Sequence, residues 1–197
     1  MITVVSGLPR SGTSLMMKML HAGGMPVYMD DHQAVLLETH RAEQLRNGDT
    51  EWLADCEGKA VKILEPHKNP PPEGYEYRFI WMRRSWKEIA RSQVKVLDEL
   101  YPGPERSIHW GGIQELKRRT TEGQRILRKL GPVWVFHFED ILKDPTKQAL
   151  RLWRMAPEAE LSVLGMVSVV QNRTGACLPE IREKEWGGEW KETRVSS

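Results

Sequence analysis

Residues 2–15 read Ile-Thr-Val-Val-Ser-Gly-Leu-Pro-Arg-Ser-Gly-Thr-Ser-Leu, which is an apolar β-branched run, a glycine-containing turn and the start of a helical pattern. The β-branched run predicts a buried strand. Gly7 and Gly12 bracket the turn, and apolar residues at helical spacing follow it. A strand that passes through such a turn into a helix N-terminus surrounds an anion with backbone N–H groups. The stretch therefore predicts a phosphate-binding loop.

This loop differs from the loops that bind nucleoside triphosphates. Their pattern is Gly-x-x-x-x-Gly-Lys-[Ser/Thr], in which the lysine reaches the β- and γ-phosphates. Here Thr13 stands at the lysine position, and the cation lies inside the loop as Arg10. The hydroxyls of Ser11, Thr13 and Ser14 add donors, and Arg10 can make a charge-assisted hydrogen bond. The pattern favours a ligand with one short anionic group over ATP or GTP, and an ordinary strand–helix turn with a serine cap is the alternative.

Composition and charge are those of an ordinary globular chain. A length of 197 residues is enough for one well-buried domain and short for two, so we expect a single domain over 1–197. The net charge of +2 gives no reason to expect nucleic acid or a membrane surface as partner. Cys56 and Cys177 lack the spacing of a disulfide framework or a zinc site. This cysteine usage leads us to expect a reduced, cytoplasmic protein. Because a strand is predicted from residue 2, we expect no targeting peptide.

Strands and helices alternate along the chain. Strands are predicted at 2–5, 59–64, 77–82 and 133–138, with a short one near 27–29. Helices are predicted after residue 14 and at 32–46, 85–100, 113–130, 145–155 and 158–170, with a loop at 101–112. The tryptophans Trp81, Trp134 and Trp153 fall on these patterns and are expected in the core. Such alternation predicts an α/β domain with a mainly parallel sheet covered on both faces.

The loop sequence Leu8-Pro9-Arg10-Ser11-Gly12-Thr13-Ser14-Leu15 resembles the 5′-phosphosulfate loop of sulfotransferases that use 3′-phosphoadenosine 5′-phosphosulfate (PAPS). In that family the loop binds the 5′-phosphosulfate, and its basic residue lies near the transferring sulfonate. The resemblance implies a P-loop NTPase-like three-layer α/β/α fold, PAPS as co-substrate and no metal. It also implies that Arg10 is catalytic and that the donor is bound by Pro9, Arg10, Ser11, Gly12, Thr13 and Ser14.

A second segment, at 77–92, resembles the 3′-phosphate motif of the same family. In that motif an arginine at a strand end is followed eight residues later by a serine on the next helix, and Arg84 and Ser92 have this spacing. An arginine leaving a strand and a serine about two turns into a helix can converge on one phosphate. Arg83 is an alternative to Arg84, because adjacent strand residues face opposite sides. An ordinary strand–helix junction with solvated arginines is the other alternative.

Two further segments are similar to parts of the family. The strand, acidic pair and Asp-Pro at 136–145 match many members, and we interpret them as architecture, with Pro145 near the first turn of a helix. Near the C-terminus, Arg173 and Gly175 are faintly similar to an Arg-Lys-Gly segment that returns to the 3′-phosphate in cytosolic members.

Sulfonyl transfer needs a group that accepts the proton of the acceptor. Three residues are candidates for this base. Asp31 and Glu38 lie at distances after the loop at which other members carry an acidic residue, and His67 follows a strand much as the catalytic histidine of cytosolic members does. Each has an ordinary alternative: Asp31 can cap a helix, Glu38 can lie on a solvated face, and His67 can be a loop residue.

The expected reaction is transfer of a sulfonyl group from PAPS to a hydroxyl or amine of a small molecule or glycan, with release of adenosine 3′,5′-bisphosphate. The cationic residues of the helix at 113–130 indicate a solvated face, and an anionic polysaccharide acceptor is the alternative. Two other functions stay open. One is a small nucleotide or metabolite kinase with a degenerate loop, and the other is a non-catalytic module that binds the nucleotide.

Overall fold

The computed structural model describes residues 1–28, 37–100, 110–170 and residue 175, with the backbone alone at 37–41, 99–100 and 110–111. Its strands are β1 (Ile2–Gly7), β2 (Ala60–Lys62), β3 (Tyr77–Arg83) and β4 (Val133–His137). Its α-helices are α1 (Thr13–Ala22), α2 (Leu37–Arg46), α3 (Trp86–Leu100), α4 (Trp110–Leu130), α5 (Phe138–Lys143), α6 (Pro145–Met155) and α7 (Val163–Ser168). Short 3₁₀ helices span Glu51–Cys56 and Pro157–Ala159.

The strands form one four-stranded, all-parallel sheet in the order β2-β1-β3-β4. Alternate residues of each strand face two separate cores. Val5, Ile80 and Phe136 pack on one face with α1, α5, α6 and α7, whereas Val4 and Phe79 pack on the other with α4 and the 3₁₀ helix at Glu51–Cys56. The chain is therefore α/β with helices on both faces of a parallel sheet, consistent with three layers.

The strand order reverses between β1 and β3. The chain leaves β1 toward β2 on one side, and it leaves β3 toward β4 on the other. In open parallel sheets, ligands bind outside the carboxyl ends of the strands at such a reversal. Gly7 and Arg83, the last residues of β1 and β3, flank this place.

Several element boundaries differ from the prediction. Helix α4 begins at Trp110, inside the predicted loop at 101–112, and the predicted helix at 158–170 is a 3₁₀ turn followed by the short α7. Residues 27–28 contribute only an isolated bridge from Val27 to Ala60. The predicted strand at 133–138 ends one residue early, because Phe138 begins α5.

The prediction that three tryptophans lie in the core is wrong for two of them. Trp81 is 1 % exposed, but Trp134 and Trp153 are 39 % and 43 % exposed. Trp134 lies on β4, at the edge of the described sheet, where burial on its outer side is incomplete. Among the helices within the described residues, none is both long and apolar enough to cross a membrane.

Candidate functional site

The loop between β1 and α1 has an unusual backbone. Arg10 and Gly12 both have positive φ, at 74° and 99°, and the Ser11 N–H donates to the Leu8 carbonyl over 3.1 Å. A Cβ on Gly12 would lie 2.5 Å from Cδ2 of Phe138, so a side chain there would collide with α5. Left-handed residues flanking one position curl successive N–H groups toward a common point. The positive φ of Gly12 fits the glycine pattern, whereas the left-handed conformation of Arg10 is not one that this pattern predicts.

The N-terminus of α1 opens directly from this loop. Gly12 is its N-cap, no side chain among the described residues caps it, and its first turn holds no acidic residue. The first N–H groups of a helix have no partner inside the helix and carry partial positive charge. The end of α1 can therefore accept an anion from outside the chain.

Three side chains predicted to bind the donor are close together here. Arg10 Nε donates to Ser92 Oγ over 2.8 Å, and Arg84 Nη1 donates to the Arg10 carbonyl over 3.2 Å. Arg10 belongs to the loop after β1, whereas Arg84 and Ser92 follow β3. Two segments separated by more than 70 residues in sequence thus meet where the strand order reverses.

Arg84 is the more buried of the two neighbouring arginines. It is 9 % exposed, and its guanidinium lies 4.8 Å from the centre of the Phe138 ring. Its Nε and Nη2 donate to the carbonyl of Gly175 over 3.2 and 2.9 Å. Arg83 instead places its guanidinium 5.6 Å from the Trp86 ring. Of the two alternatives left open by the sequence, Arg84 is the one that contacts the loop.

The first two residues of α5 contact the loop, Arg84 and the start of α3. Phe138 packs against both Gly12 and Arg84, and Glu139 Oε1 accepts the Ser85 N–H over 2.8 Å. Ser85 immediately precedes α3, so the Glu139 carboxylate caps that helix. The segment interpreted from sequence as architecture is thus the support on which the loop and Arg84 rest.

Sequence reasoning missed two contacts of the loop. Lys62, the last residue of β2, places Nζ 3.4 Å from Ser14 Oγ in the first turn of α1. Gln93 donates to the Pro9 carbonyl over 3.0 Å. A signal was available for Gln93, which directly follows Ser92, whereas Lys62 reaches the loop only through the pairing of β2 with β1.

The three candidate bases are described to different extents. His67 lies in the loop after β2, its side chain is 5 % exposed, and burial lowers its pKa. Glu38 lies in the first turn of α2, where only the backbone is described. Asp31 and Arg173 lie outside the described residues. The structure therefore gives a side-chain environment for His67 alone.

The cationic helix α4 carries its own counter-charges. Arg118 pairs with Glu115 and Glu122, and Arg119 pairs with Glu115 and Glu65, at N–O distances of 2.7–3.4 Å. The hydrogen bonds from the two arginines lower the pKa of Glu115 to about 2. This pairing is typical of a solvated helix face, and it weakens the case for docking of an anionic polysaccharide.

A comparison of the sequence with protein-family models finds no match, and a comparison with curated proteins finds none either. What the chain does must therefore be inferred from its own residues and their positions.

Proposed function

We propose that this chain is a PAPS-dependent sulfotransferase with a P-loop NTPase-like fold. It transfers a sulfonyl group to a hydroxyl or amine and releases adenosine 3′,5′-bisphosphate. One observation carries the proposal: the loop after β1 and the arginine–serine pair after β3 meet at the reversal of strand order. The Arg10–Ser92 distance of 2.8 Å and the Arg84–Arg10 distance of 3.2 Å express that convergence. A ligand with two separate anionic groups suits such a site.

In this proposal the loop holds the 5′-phosphosulfate. Its N–H groups and the N-terminus of α1 stabilise the negative charge that develops on the bridging oxygen as the S–O bond breaks. Arg10 donates a charge-assisted hydrogen bond to the same bridging oxygen. Its positive φ of 74° is support for such a role, because strained residues that persist in a fold cluster at functional sites.

Arg84 and Ser92 bind the 3′-phosphate of the donor. Two donors of Arg84 make hydrogen bonds to the Gly175 carbonyl. A phosphate would replace that carbonyl, since a charged acceptor makes a stronger hydrogen bond than a neutral one. The Phe138 ring keeps the guanidinium plane in place during the exchange.

A second candidate function, a small kinase, is favoured by Lys62. Its Nζ lies 3.4 Å from Ser14 Oγ, so a cation from β2 reaches the first turn of α1 although the loop has no lysine of its own. A lysine in that place could bind a phosphate in a nucleoside triphosphate. It could equally bind the sulfonate of PAPS. The position of Lys62 therefore does not separate the two functions, and they must be distinguished by which ligand the chain binds.

Thermal unfolding with three ligands separates these functions. The ligands are adenosine 3′,5′-bisphosphate, adenosine 5′-phosphate and ATP–Mg²⁺. A ligand at about one hundred times its dissociation constant stabilises a protein by roughly 2.7 kcal/mol. For a domain of this size the midpoint should rise by about 5–10 °C. We expect that rise with the bisphosphate, without metal, and a much smaller one with the monophosphate.

A rise with ATP–Mg²⁺ alone would identify a kinase and reject the sulfotransferase proposal. Binding of the bisphosphate without transfer from PAPS to any hydroxyl or amine would indicate the non-catalytic module. Transfer itself is followed as release of the bisphosphate from PAPS in the presence of a panel of phenols, amines and sugars.

A further inference from the structure

Glu65 is held in a strained position at the edge of the proposed site. It has a φ of +49°, one of three positive-φ residues other than glycine among those described. Its N–H donates to the carbonyl of Gly7 over 3.2 Å, and its own carbonyl accepts N–H groups from Lys68 and Asn69. A residue other than glycine is destabilised by about 1–3 kcal/mol in such a backbone conformation, so the surrounding fold must hold Glu65 in place.

His67, two residues further on, is enclosed and has unused nitrogen atoms. Its side chain is 5 % exposed, and neither ring nitrogen has a hydrogen-bond partner within the described residues. Its Nε2 lies 3.8 Å from Glu65 Oε1, which is just beyond hydrogen-bond distance. A small movement of the ring would close that gap when the imidazole becomes charged.

The Glu65 carboxylate is itself anchored. Its Oε1 lies 3.1 Å from Lys68 Nζ and 3.4 Å from Arg119 Nη1 of α4. The charged groups that act on His67 are therefore Glu65 and Lys68 from its own loop and Arg119 and Glu122 from α4. Burial lowers the pKa of His67, and among these groups Glu65 opposes that effect most strongly. The lowered pKa thus favours the neutral form of the His67 imidazole, which lies beside a carboxylate held in place by two cations.

We propose that Glu65 is a positioning residue for His67, and that its carboxylate accepts a hydrogen bond from the Nε2–H of the imidazolium when Nδ1 takes up a proton. The arrangement of a base oriented by a fixed carboxylate is a general one in proton-transfer sites. The source of the proton rests on the proposed function. In that function the acceptor loses its proton as its oxygen or nitrogen bonds to sulfur, and the S–O bond to the donor phosphate breaks with its electron pair remaining on the phosphate. Because both ring nitrogens of His67 are buried, the ring must be uncovered before Nδ1 can take up that proton.

The test is an NMR titration of the histidine rings, which needs neither donor nor acceptor. His67→Gln assigns the His67 signal among the six histidines of the chain. Glu65→Gln removes the carboxylate charge at nearly constant size, and we expect it to lower the pKa of His67 by about one unit or more. Glu122→Gln is the matched control, because it removes the same charge from α4 at a carboxylate that already pairs with Arg118. We expect a much smaller change from it.

A second measurement uses the unaltered chain, in case Glu65→Gln does not fold. The ¹³Cδ shift of Glu65 should show an inflection at the same pH as the His67 ring. Equal pKa changes in the two glutamine variants, or a Glu65 signal indifferent to His67, would overturn the pairing.

The outcome for this pair is separate from that of the proposed function. If the chain fails to bind adenosine 3′,5′-bisphosphate but shows the coupled titration, the proposal for the Glu65–His67 pair stands and the sulfotransferase proposal is rejected. In an active enzyme, the acid limb of the kcat/KM profile should move with the His67 pKa in Glu65→Gln. An unmoved acid limb would mean that another group takes the proton.

Discussion

At the scale of single residues, Arg84 carries the most specific expectation. It is nearly buried, lies against Phe138 and is hydrogen-bonded to both the loop and Gly175. Arg83 beside it is turned toward Trp86. Two adjacent arginines in different surroundings provide a matched pair of variants.

We expect Arg84→Ala to weaken binding of adenosine 3′,5′-bisphosphate by about 10- to 100-fold, the loss of a charged hydrogen bond worth roughly 1.5–3 kcal/mol. Binding of adenosine 5′-phosphate should change by less than about threefold, because that ligand lacks the 3′-phosphate. Calorimetric titration measures both. Arg83→Ala is the control and should affect neither ligand appreciably; equal losses of both ligands in Arg84→Ala would contradict the 3′-phosphate assignment.

The residue scale also shows what could be predicted from sequence. The spacing of Arg84 and Ser92 was predictable because a strand end and the next two helical turns are local structure. The contact of Arg84 with Gly175 joins positions 91 residues apart, and only the faint resemblance of Arg173 and Gly175 to a segment that returns to the 3′-phosphate pointed toward it. Lys62 was missed because only the pairing of β1 with β2 brings it to Ser14.

At the scale of elements, the strands were easier to predict than the helix ends. Runs of β-branched and aromatic residues give β1, β3 and β4 within one or two residues. Helix α4 starts earlier than expected, at Trp110 before two glycines, so the low helix propensity of glycine does not set its beginning. The last predicted helix is interrupted at Glu160, whose positive φ ends a 3₁₀ turn.

The junction between α5 and α3 gives an expectation at this scale. Glu139 caps α3 through the Ser85 N–H, so Glu139→Ala should lower the free energy of unfolding by about 1 kcal/mol. Asp140→Ala removes a neighbouring exposed carboxylate from the same helix and is the control. Urea denaturation measures the difference, and similar effects of the two variants would show that the cap contributes nothing.

At the scale of the whole molecule, one buried arginine connects the sheet to the helices that follow it. Arg78 of β3 is 6 % exposed and donates to Thr3 Oγ1, to the Met155 carbonyl and to Glu158. These contacts join β1, β3, the end of α6 and the 3₁₀ helix Pro157–Ala159. They lie at the opposite end of the sheet from the loop, so they bear on stability rather than on ligand binding.

The hydrogen bond from Arg78 lowers the pKa of Glu158. A carboxyl with a lowered pKa in the folded chain stabilises the fold above its unfolded pKa, and that contribution is lost as the pH falls through the folded value. Glu158→Gln should therefore reduce stability near pH 7 by about 0.5–1 kcal/mol, a small amount because Glu158 is 60 % exposed.

Below pH 4.5, the ordinary pKa of Glu158, the difference between this variant and the parent chain should shrink. Denaturation midpoints across the pH range test this. Glu160→Gln, two residues further along the chain, is the comparison, and an equal pH dependence of the two variants would contradict the role of Arg78.

The contact between Arg84 and Gly175 has a consequence for selectivity. Because the guanidinium already has an uncharged acceptor, a ligand gains only the difference between its own oxygens and a peptide carbonyl. The free energy gained in this exchange therefore depends more on the charge of the ligand than on its shape. A phosphate monoester changes from dianion to monoanion near pH 6. The affinity of the site for such a ligand therefore depends on the ionisation state of the ligand as well as on its identity. Under the proposed function, mildly acidic conditions would favour the contact of Arg84 with the Gly175 carbonyl and weaken binding of adenosine 3′,5′-bisphosphate.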